Sequence, residues 1–290
     1  MNKVQFDIIF EMLFTPLKYA LIHKLFNNHL VIIGSERANP NEYDSWLKKV
    51  RCKVYPLFCD GYVFQTEKVK NMFSRVVQRK SIVIPNAISN PDIQNLDCTH
   101  IKKEKAIVAV GRLTKQKGFD FLITCFKEIH LKYPDYKLII YGEGPMRKEL
   151  EEQIQEENIE KFIKLPGNKQ EVIKHVASAT MFVMSSRFEG MPNALLEAMA
   201  AGMPCISTNC VAGPSEIIDN YVNGILVEVD NVDEMTTAMS HIIEDKKLRK
   251  KLATNAAKIK ETHSVDQIYI RYYQYFLDIY QKEYEKRVKN

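Results

Sequence analysis

The 290-residue sequence contains no run of about 20 apolar residues, so we expect no transmembrane helix. Its N-terminus lacks the basic region and the small-residue cleavage site that a signal peptide needs. It also lacks internal repeats and low-complexity segments. What is present is 46% hydrophobic and 27% charged residues, which is typical of a globular protein with one large domain or two medium ones.

A large excess of one charge is also absent. The formal net charge is +5, from 41 basic and 36 acidic residues. This excess is far below that of nucleic-acid-binding proteins, so we expect no nucleic-acid partner. It is compatible with an anionic ligand, with an acidic membrane surface, or with solubility alone.

Cysteine pairs with metal-binding spacing are missing. None of the six cysteines forms a C-x-x-C pair, and no histidine pair lies near them at zinc spacing. Several, such as Cys125 and Cys205, lie inside apolar runs. We therefore predict reduced cysteines in the core of a cytosolic protein.

Strand-like and helix-like runs alternate along the chain, which predicts an α/β fold with parallel sheets. The first part contains four strand patterns, at residues 6–10, 30–34, 62–64 and 81–84, and a helical pattern at residues 16–26. Residues 89–103 are polar and predict a linker. This places a first, incomplete Rossmann-like domain at residues 1–95.

A second α/β pattern begins at Ala106. Six strand patterns alternate with helical ones, at residues 106–110, 137–141, 162–165, 181–184, 204–207 and 224–227. They predict a complete doubly wound, Rossmann-like domain over residues 96–263. The tail at residues 264–290 repeats Tyr and Phe at helical spacing, which predicts a terminal helix that packs back on the first domain.

Two carboxylates bracket the turn that follows the strand at 181–184. Glu189 lies in the loop at the carboxyl end of that strand, and Glu197 lies about one turn into a helix predicted at 193–201. Ligands of open α/β sheets bind at this edge, where a helix N-terminus also favours phosphate. The pair could accept hydrogen bonds from two sets of hydroxyls, although such carboxylates are also common in solvated loops and helices.

A basic loop follows the strand at 106–110. It runs from Gly111 to Gly118 and opens a helix predicted at 119–133. Arg112 and Lys117 can reach the same point from this loop, and two fixed cations suit a diphosphate leaving group. A solvated basic loop is the alternative.

Three further loops occupy the same edge of the predicted sheet. The segment from Gly142 to Pro145 contains G-x-G, but Arg147 stands where a dinucleotide fingerprint needs Gly or Ala, so we reject NAD binding. The loop at 165–168 could hold a base through backbone groups, and the turn at 212–218 opens another helix. The convergence of these loops favours a ligand site more than any single loop does.

As a set, these motifs resemble the retaining glycosyltransferases with the two-domain GT-B fold, often called family 4. The run from Glu189 to Glu197 is similar to the E-x7-E motif of that family, and the Gly111 to Gly118 segment is similar to its phosphate-binding loop. The segments at 142–145 and 213–216 also resemble family signatures. The resemblance covers about residues 60–275 and is strongest to bacterial members that extend lipid-linked or capsular polysaccharides.

The resemblance implies transfer of a hexosyl or N-acetylhexosaminyl group from a nucleotide-sugar, UDP-linked, to a glycan or lipid-linked acceptor with retention of configuration. It implies catalytic roles for three residues: Arg112 and Lys117 stabilise the leaving diphosphate, and Glu189 contacts the donor sugar. The other implied donor-binding residues are Gly111, Gly167, Asn168, Gly190, Met191, Pro192, Asn193, Leu196 and Glu197, the last at the ribose. Neither a metal nor a cofactor is expected, because the family usually needs none and the sequence shows no Asp-x-Asp arrangement.

The start of the sequence departs from the family pattern. Members usually open with a strand and a Gly-rich loop, and this opening is missing here. We expect a fragment of a longer reading frame; a partner that supplies the rest, or a remnant with little activity, are the alternatives. A catalytically silent fragment or nucleotide-binding partner module is the competing function. The resemblance also implies a cytoplasmic location at the inner face of the membrane, with peripheral contact to it.

Overall fold

The structure is a computed structural model that describes residues 7–12, 14–27, 29–37, 40, 45–94, 96, 101 and 103–289. The chain divides into two units. One contains the residues up to Ala87 together with those from His263 onward, and the other runs from Ile88 to Thr262. The division falls before the predicted boundary at residue 95, because Ile88 and Ile93 are buried in the core of the second unit.

The first unit contains a four-stranded parallel sheet in the order β1-β2-β3-β4. The strands are β1 (Ile8–Glu11), β2 (Val31–Glu36), β3 (Gly61–Phe64) and β4 (Ser81–Val83). Its helices are α1 (Phe14–Phe26), α2 (Trp46–Val54), α3 (Glu67–Lys70), α4 (Arg75–Gln78) and the C-terminal α14 (Val265–Lys289). The helix α2 was not predicted; it buries Cys52 and exposes Trp46, Leu47, Val50 and Val54.

Helix α14 packs on one face of this sheet. Its Ile268, Tyr275 and Ile279 are buried in one cluster with residues of β2 and β3. The Tyr275 hydroxyl accepts from the backbone N–H of Tyr62 at 2.8 Å. Gly61 allows this approach, since a Cβ there would lie 2.7 Å from the Tyr275 hydroxyl oxygen.

The second unit contains a six-stranded parallel sheet in the order β10-β9-β8-β5-β6-β7. The strands are β5 (Ala106–Val110), β6 (Lys137–Tyr141), β7 (Ile163–Gly167), β8 (Met181–Met184), β9 (Cys205–Thr208) and β10 (Ile225–Val227). The helices are α5 (Pro91–Gln94), α6 (Phe119–Lys132), α7 (Arg147–Glu156), α8 (Val172–Ser178), α9 (Asn193–Ala200), α10 (Pro214–Ile217), α11 (Val232–Glu244), α12 (Lys246–Ala257) and α13 (Ile259–His263). Helices cover both faces of the sheet, as separate apolar clusters show.

The predicted α/β class with parallel sheets is confirmed in both units. One local prediction is wrong: Pro166 and Gly167 belong to strand β7, which continues past the predicted end at Leu165, rather than to a loop. Proline can occupy this position because β7 is an edge strand and its pairing with β6 is interrupted there by a register shift.

The buried cysteines agree with the predicted thiol state. Cys52, Cys59, Cys125, Cys205 and Cys210 are free and buried. Burial in apolar surroundings raises the pKa of the Cys125 thiol to about 12. The sixth cysteine, Cys98, lies outside the described residues.

Candidate functional site

The site begins where the strand order of the second sheet reverses. From β5 the chain moves outward through β6 and β7, and then returns to the other side of β5 with β8. The loops that follow β5 and β8 therefore leave neighbouring strands in opposite directions and open a crevice at their carboxyl ends. The loop after β5 contains the basic segment from Gly111 to Gly118, and the loop after β8 contains Glu189.

Lys117 and Glu189 meet in this crevice. The Lys117 ammonium lies 2.6 Å from Oε1 of Glu189. The Ser186 hydroxyl donates to the same oxygen at 2.6 Å. The Glu189 side chain is only 8% exposed, so these two donors take the place of water around its carboxylate.

The two loops approach too closely for a side chain at Gly118. This residue has φ +61°, and a Cβ on it would lie 2.2 Å from the carbonyl oxygen of Ser185. The Ser185 hydroxyl also donates to the Lys117 carbonyl at 2.8 Å. Glycine therefore ends the basic turn in a left-handed conformation and lets the Lys117 backbone contact the β8 loop.

Arg112 is exposed. Among the described residues, no carboxylate lies within ion-pair distance of its guanidinium. The structure therefore joins Lys117, but not Arg112, to Glu189. A cation without a carboxylate partner can reorient toward an incoming anion at little cost.

Glu197 lies on α9, half-buried and one turn beyond the helix start at Asn193. Burial raises the pKa of this carboxyl above its usual value, and a hydrogen bond from Asn90 partly offsets the rise. The Asn90 side-chain oxygen in turn accepts from the backbone N–H of Asp92 at 3.0 Å. Asn90 lies in the segment predicted as a linker, and nothing in its local sequence pointed to this contact.

The residues between the two carboxylates shape the turn into α9. Met191 and Pro192 are buried, Gly190 is half-buried and Asn193 is exposed. Leu196 is buried on the helix. Gly213, from the loop after β9, has φ +91°, and a Cβ there would lie 2.4 Å from the Gly190 carbonyl oxygen. The Gly-Pro turn thus packs against the Gly190 backbone.

The G-x-G segment packs beneath the basic loop. A Cβ on Gly142 would lie 1.9 Å from the Gly111 carbonyl oxygen, and one on Gly144 would lie 2.3 Å from that of Leu113. These glycines therefore allow backbone to stack on backbone, which accounts for G-x-G in a chain whose remaining sequence does not fit a dinucleotide fingerprint. The Gly142 N–H donates to the Gly167 carbonyl at 3.0 Å, which brings the exposed Asn168 to the same edge.

The opposite edge of the sheet holds a basic cleft of about 700 Å³. Lys103 donates to the Ala177 carbonyl at 2.6 Å, and Arg249 donates to the Ile242 carbonyl at 3.1 Å. Both carbonyls lie at helix ends, where the partial negative charge favours cations. The basic run at 246–251 begins α12, and its Lys246, Arg249 and Lys250 line the cleft.

The described residues contain neither a metal-binding cluster nor a membrane-spanning helix. No group of three or more His, Cys, Asp or Glu side chains there could hold a metal ion. No helix in the same part of the chain combines the length and the apolar character that crossing a membrane requires.

Comparison with known proteins identifies a family match over most of the second unit and relatives of much of the chain. Residues 97–259 match the family described as Glycosyl transferases group 1. A Campylobacter jejuni protein named N-acetylgalactosamine-N,N'-diacetylbacillosaminyl-diphospho-undecaprenol 4-alpha-N-acetylgalactosaminyltransferase is 31% identical over 258 residues, which are 84% of this chain and 69% of that protein. An uncharacterized glycosyltransferase of Methanocaldococcus jannaschii is 33% identical over 221 residues, which are 70% of this chain and 54% of that protein.

Solved structures share the fold. Anabaena HepE in complex with UDP superposes with a TM-score of 0.83 at 19% identity, over 94% of this chain and 79% of that one. TarM superposes with a TM-score of 0.79 at 23% identity, over 93% of this chain and 54% of that one. The chain thus spans little more than half the length of several proteins that it matches.

Proposed function

The chain belongs to the group 1 glycosyl transferases, and from this premise we propose that it transfers a hexosyl or N-acetylhexosaminyl group from a UDP-linked sugar to a glycan or lipid-linked acceptor. The contact between Lys117 and Glu189 at the switch point of the sheet carries the proposal. It sets a fixed cation beside a buried carboxylate at the edge where such sheets bind nucleotides.

The proposed donor site divides into three parts. Lys117 and Arg112 bind the diphosphate, and Glu189 accepts hydrogen bonds from the hydroxyls of the sugar. Glu197 accepts from the ribose, and the base lies near Gly167 and Asn168. The backbone of Gly111 and of residues 190–193, with Leu196, surrounds the sugar and the phosphates.

In the proposed reaction, the bond between the anomeric carbon and the diphosphate oxygen breaks and the acceptor hydroxyl oxygen bonds to that carbon. The acceptor proton passes to the departing diphosphate on the same face, so the configuration is retained. Lys117 and Arg112 stabilise the negative charge that develops on the leaving group, and prearranged charges of this kind contribute strongly to catalysis. This scheme requires neither a metal nor a cofactor.

The relatives support the substrate classes. The HepE structure contains UDP, and an Escherichia coli relative is named UDP-Gal:alpha-D-GlcNAc-diphosphoundecaprenol alpha-1,3-galactosyltransferase. The name of the Campylobacter relative also includes a diphospho-undecaprenol-linked sugar. We extend this chemistry to the present chain as a UDP-sugar donor and a lipid-linked or glycan acceptor.

Peripheral contact with an anionic membrane forms part of the proposal. Helix α2 of the first unit exposes Trp46, Val50 and Val54 at helical spacing, and Trp46 is 70% exposed. Lys49 and Lys53 are exposed on the same helix. An exposed amphipathic helix with cations and a tryptophan suits the headgroup region of an acidic bilayer.

Co-sedimentation with vesicles tests this contact. The protein should sediment with vesicles that contain phosphatidylglycerol, and the Trp46→Ser variant should do so less. Equal sedimentation with neutral vesicles would contradict an electrostatic contribution.

Turnover of a donor distinguishes the enzyme from a silent nucleotide-binding module. We expect purified protein to release UDP from one UDP-hexose or UDP-N-acetylhexosamine, faster with a diphosphoundecaprenol-linked glycan present. If UDP binds but no donor is consumed with any acceptor, the silent-module alternative is correct.

A further inference from the structure

Arg187 links three loops of the second unit. Its Nη1 and Nη2 atoms donate to the two oxygens of Asp120, at 2.9 and 3.1 Å, and its Nε donates to Asp230 at 3.0 Å. Nη1 also donates to the Lys115 carbonyl at 2.9 Å. These contacts join the start of α6, the β8 loop and the loop before α11.

The neighbours of the proposed catalytic pair in the sequence are also hydrogen-bonded to each other. The backbone N–H of Arg187 donates to the Gln116 carbonyl at 2.8 Å, and the Gln116 amide donates to the Phe188 carbonyl at 3.0 Å. Lys117 follows Gln116, and Glu189 follows Phe188. Arg187 is therefore hydrogen-bonded to Lys115 and Gln116, the two residues before Lys117, and lies two residues before Glu189.

The electrostatics show a firmly held guanidinium. Its side chain is 29% exposed, and those of Asp120 and Asp230 are 37% and 48% exposed. Burial opposes ionisation of Asp120, but hydrogen bonds and the charge of Arg187 hold the pKa of this carboxyl below its usual value. A planar guanidinium can bond two carboxylates and a carbonyl at once, which a lysine ammonium does with far less directional constraint.

We propose that Arg187 is a positioning residue that fixes the Lys117 ammonium relative to the Glu189 carboxylate, so that the loop can bind the β-phosphate of the donor. This inference rests on the proposed function. Arg187 makes no contact with the substrate and acts through Lys117. A general brace for the fold would instead affect every part of the nucleotide equally.

The test compares UDP with UMP, which lacks the β-phosphate, by calorimetry on the full chain. We expect Arg187→Ala to weaken UDP about tenfold and UMP less than about twofold. Arg187→Lys should lie between Arg187→Ala and the wild type. Arg249→Ala is the matched control, because that arginine also ties two helices but does so at the opposite edge. Both affinities should stay unchanged in it.

A double-mutant cycle adds a second readout. Because Arg187 acts through Lys117, adding Arg187→Ala to Lys117→Ala should cost almost nothing further in UDP affinity. Equal losses for UDP and UMP, or additive losses in the cycle, would overturn the positioning role. If Arg187→Ala does not fold, Arg187→Lys and Asp230→Asn carry the same comparison. Absence of UDP binding by the wild type would instead refute the donor site itself.

Discussion

Lys117 and Glu189 lie 72 residues apart in the sequence, yet their charged atoms are 2.6 Å apart. The contact arises because β5 and β8 are neighbours in the sheet, so the loops at their carboxyl ends meet. A bound diphosphate must therefore share Lys117 with Glu189 or draw it away.

Substitution Glu189→Gln should separate catalysis from binding. Glutamine keeps the shape and can still accept from Ser186, but it lacks the charge that we assign to contact with the sugar. We expect turnover of a UDP-sugar to fall by about 10²–10³-fold, while UDP affinity changes less than about threefold. Release of UDP and calorimetry measure the two quantities.

The control for this substitution is Glu244→Gln, which removes the charge from an exposed Lys–Glu contact of 2.9 Å with Lys132 at the end of α6. It should leave turnover unchanged. Near-normal turnover in Glu189→Gln would show that its carboxylate is not needed in the reaction.

Nucleotide affinity should depend on pH through Glu197. Burial raises the pKa of its carboxyl, and the ribose hydroxyls need an ionised acceptor. As the pH falls below neutrality, protonation should therefore weaken UDP binding. The diphosphate also titrates in this range, so the relevant quantity is the difference between the wild type and Glu197→Gln. Identical pH profiles would rule out the role of Glu197 at the ribose.

The same pKa change predicts an effect on stability with a definite sign. The unfolded chain loses the Glu197 proton at a lower pH than the folded chain, so between the two pKa values the folded state holds more protons. Stability then falls as the pH rises through this window, and the ionised Glu197 destabilises the fold above it. Thermal unfolding should show that Glu197→Gln raises Tm more at pH 7 than at pH 4; a lowered Tm at pH 7 would contradict this.

Two glycines allow a test of the loop contact. Gly118 and Gly202 have nearly the same φ, +61° and +67°, but a Cβ on Gly202 would approach no atom closer than 3.9 Å. Gly202→Ala should therefore cost only the backbone strain, about 1 kcal/mol. Gly118→Ala should cost about 1–3 kcal/mol more, because its Cβ would clash with the Ser185 carbonyl. Equal losses in urea unfolding would show that the two loops separate easily.

Much of the second unit could be predicted from its sequence. Strands β5, β6 and β8 were predicted with the bounds that the structure has, because each is a continuous apolar run between turn residues, as expected for strands buried on both faces. Strand β7 was cut short at Leu165, because Pro166 resembles a loop residue. Helix α2 was missed, although Trp46, Val50 and Val54 recur in it at helical spacing.

The position of the site at the edge of the sheet could be predicted from the sequence, but its side-chain contacts could not. Parallel strands put Arg112, Lys117 and Glu189 at one edge, and this much follows from the alternation of elements. The contacts of Ser186, Asn90 and Arg187 depend on side-chain directions in loops that meet only after folding, and no local pattern encodes them. The assigned roles in donor binding remain predictions.

The most direct test of the donor site is calorimetric titration of the wild type, Lys117→Ala and Glu197→Ala with UDP, GDP and ADP, with Lys127→Ala as a control on α6. We predict that UDP binds, that Lys117→Ala and Glu197→Ala each weaken it about tenfold, and that Lys127→Ala does not. If none of the three nucleotides binds the wild type, or if Lys117→Ala and Glu197→Ala bind as the wild type does, the edge formed by β5 and β8 is not a donor site.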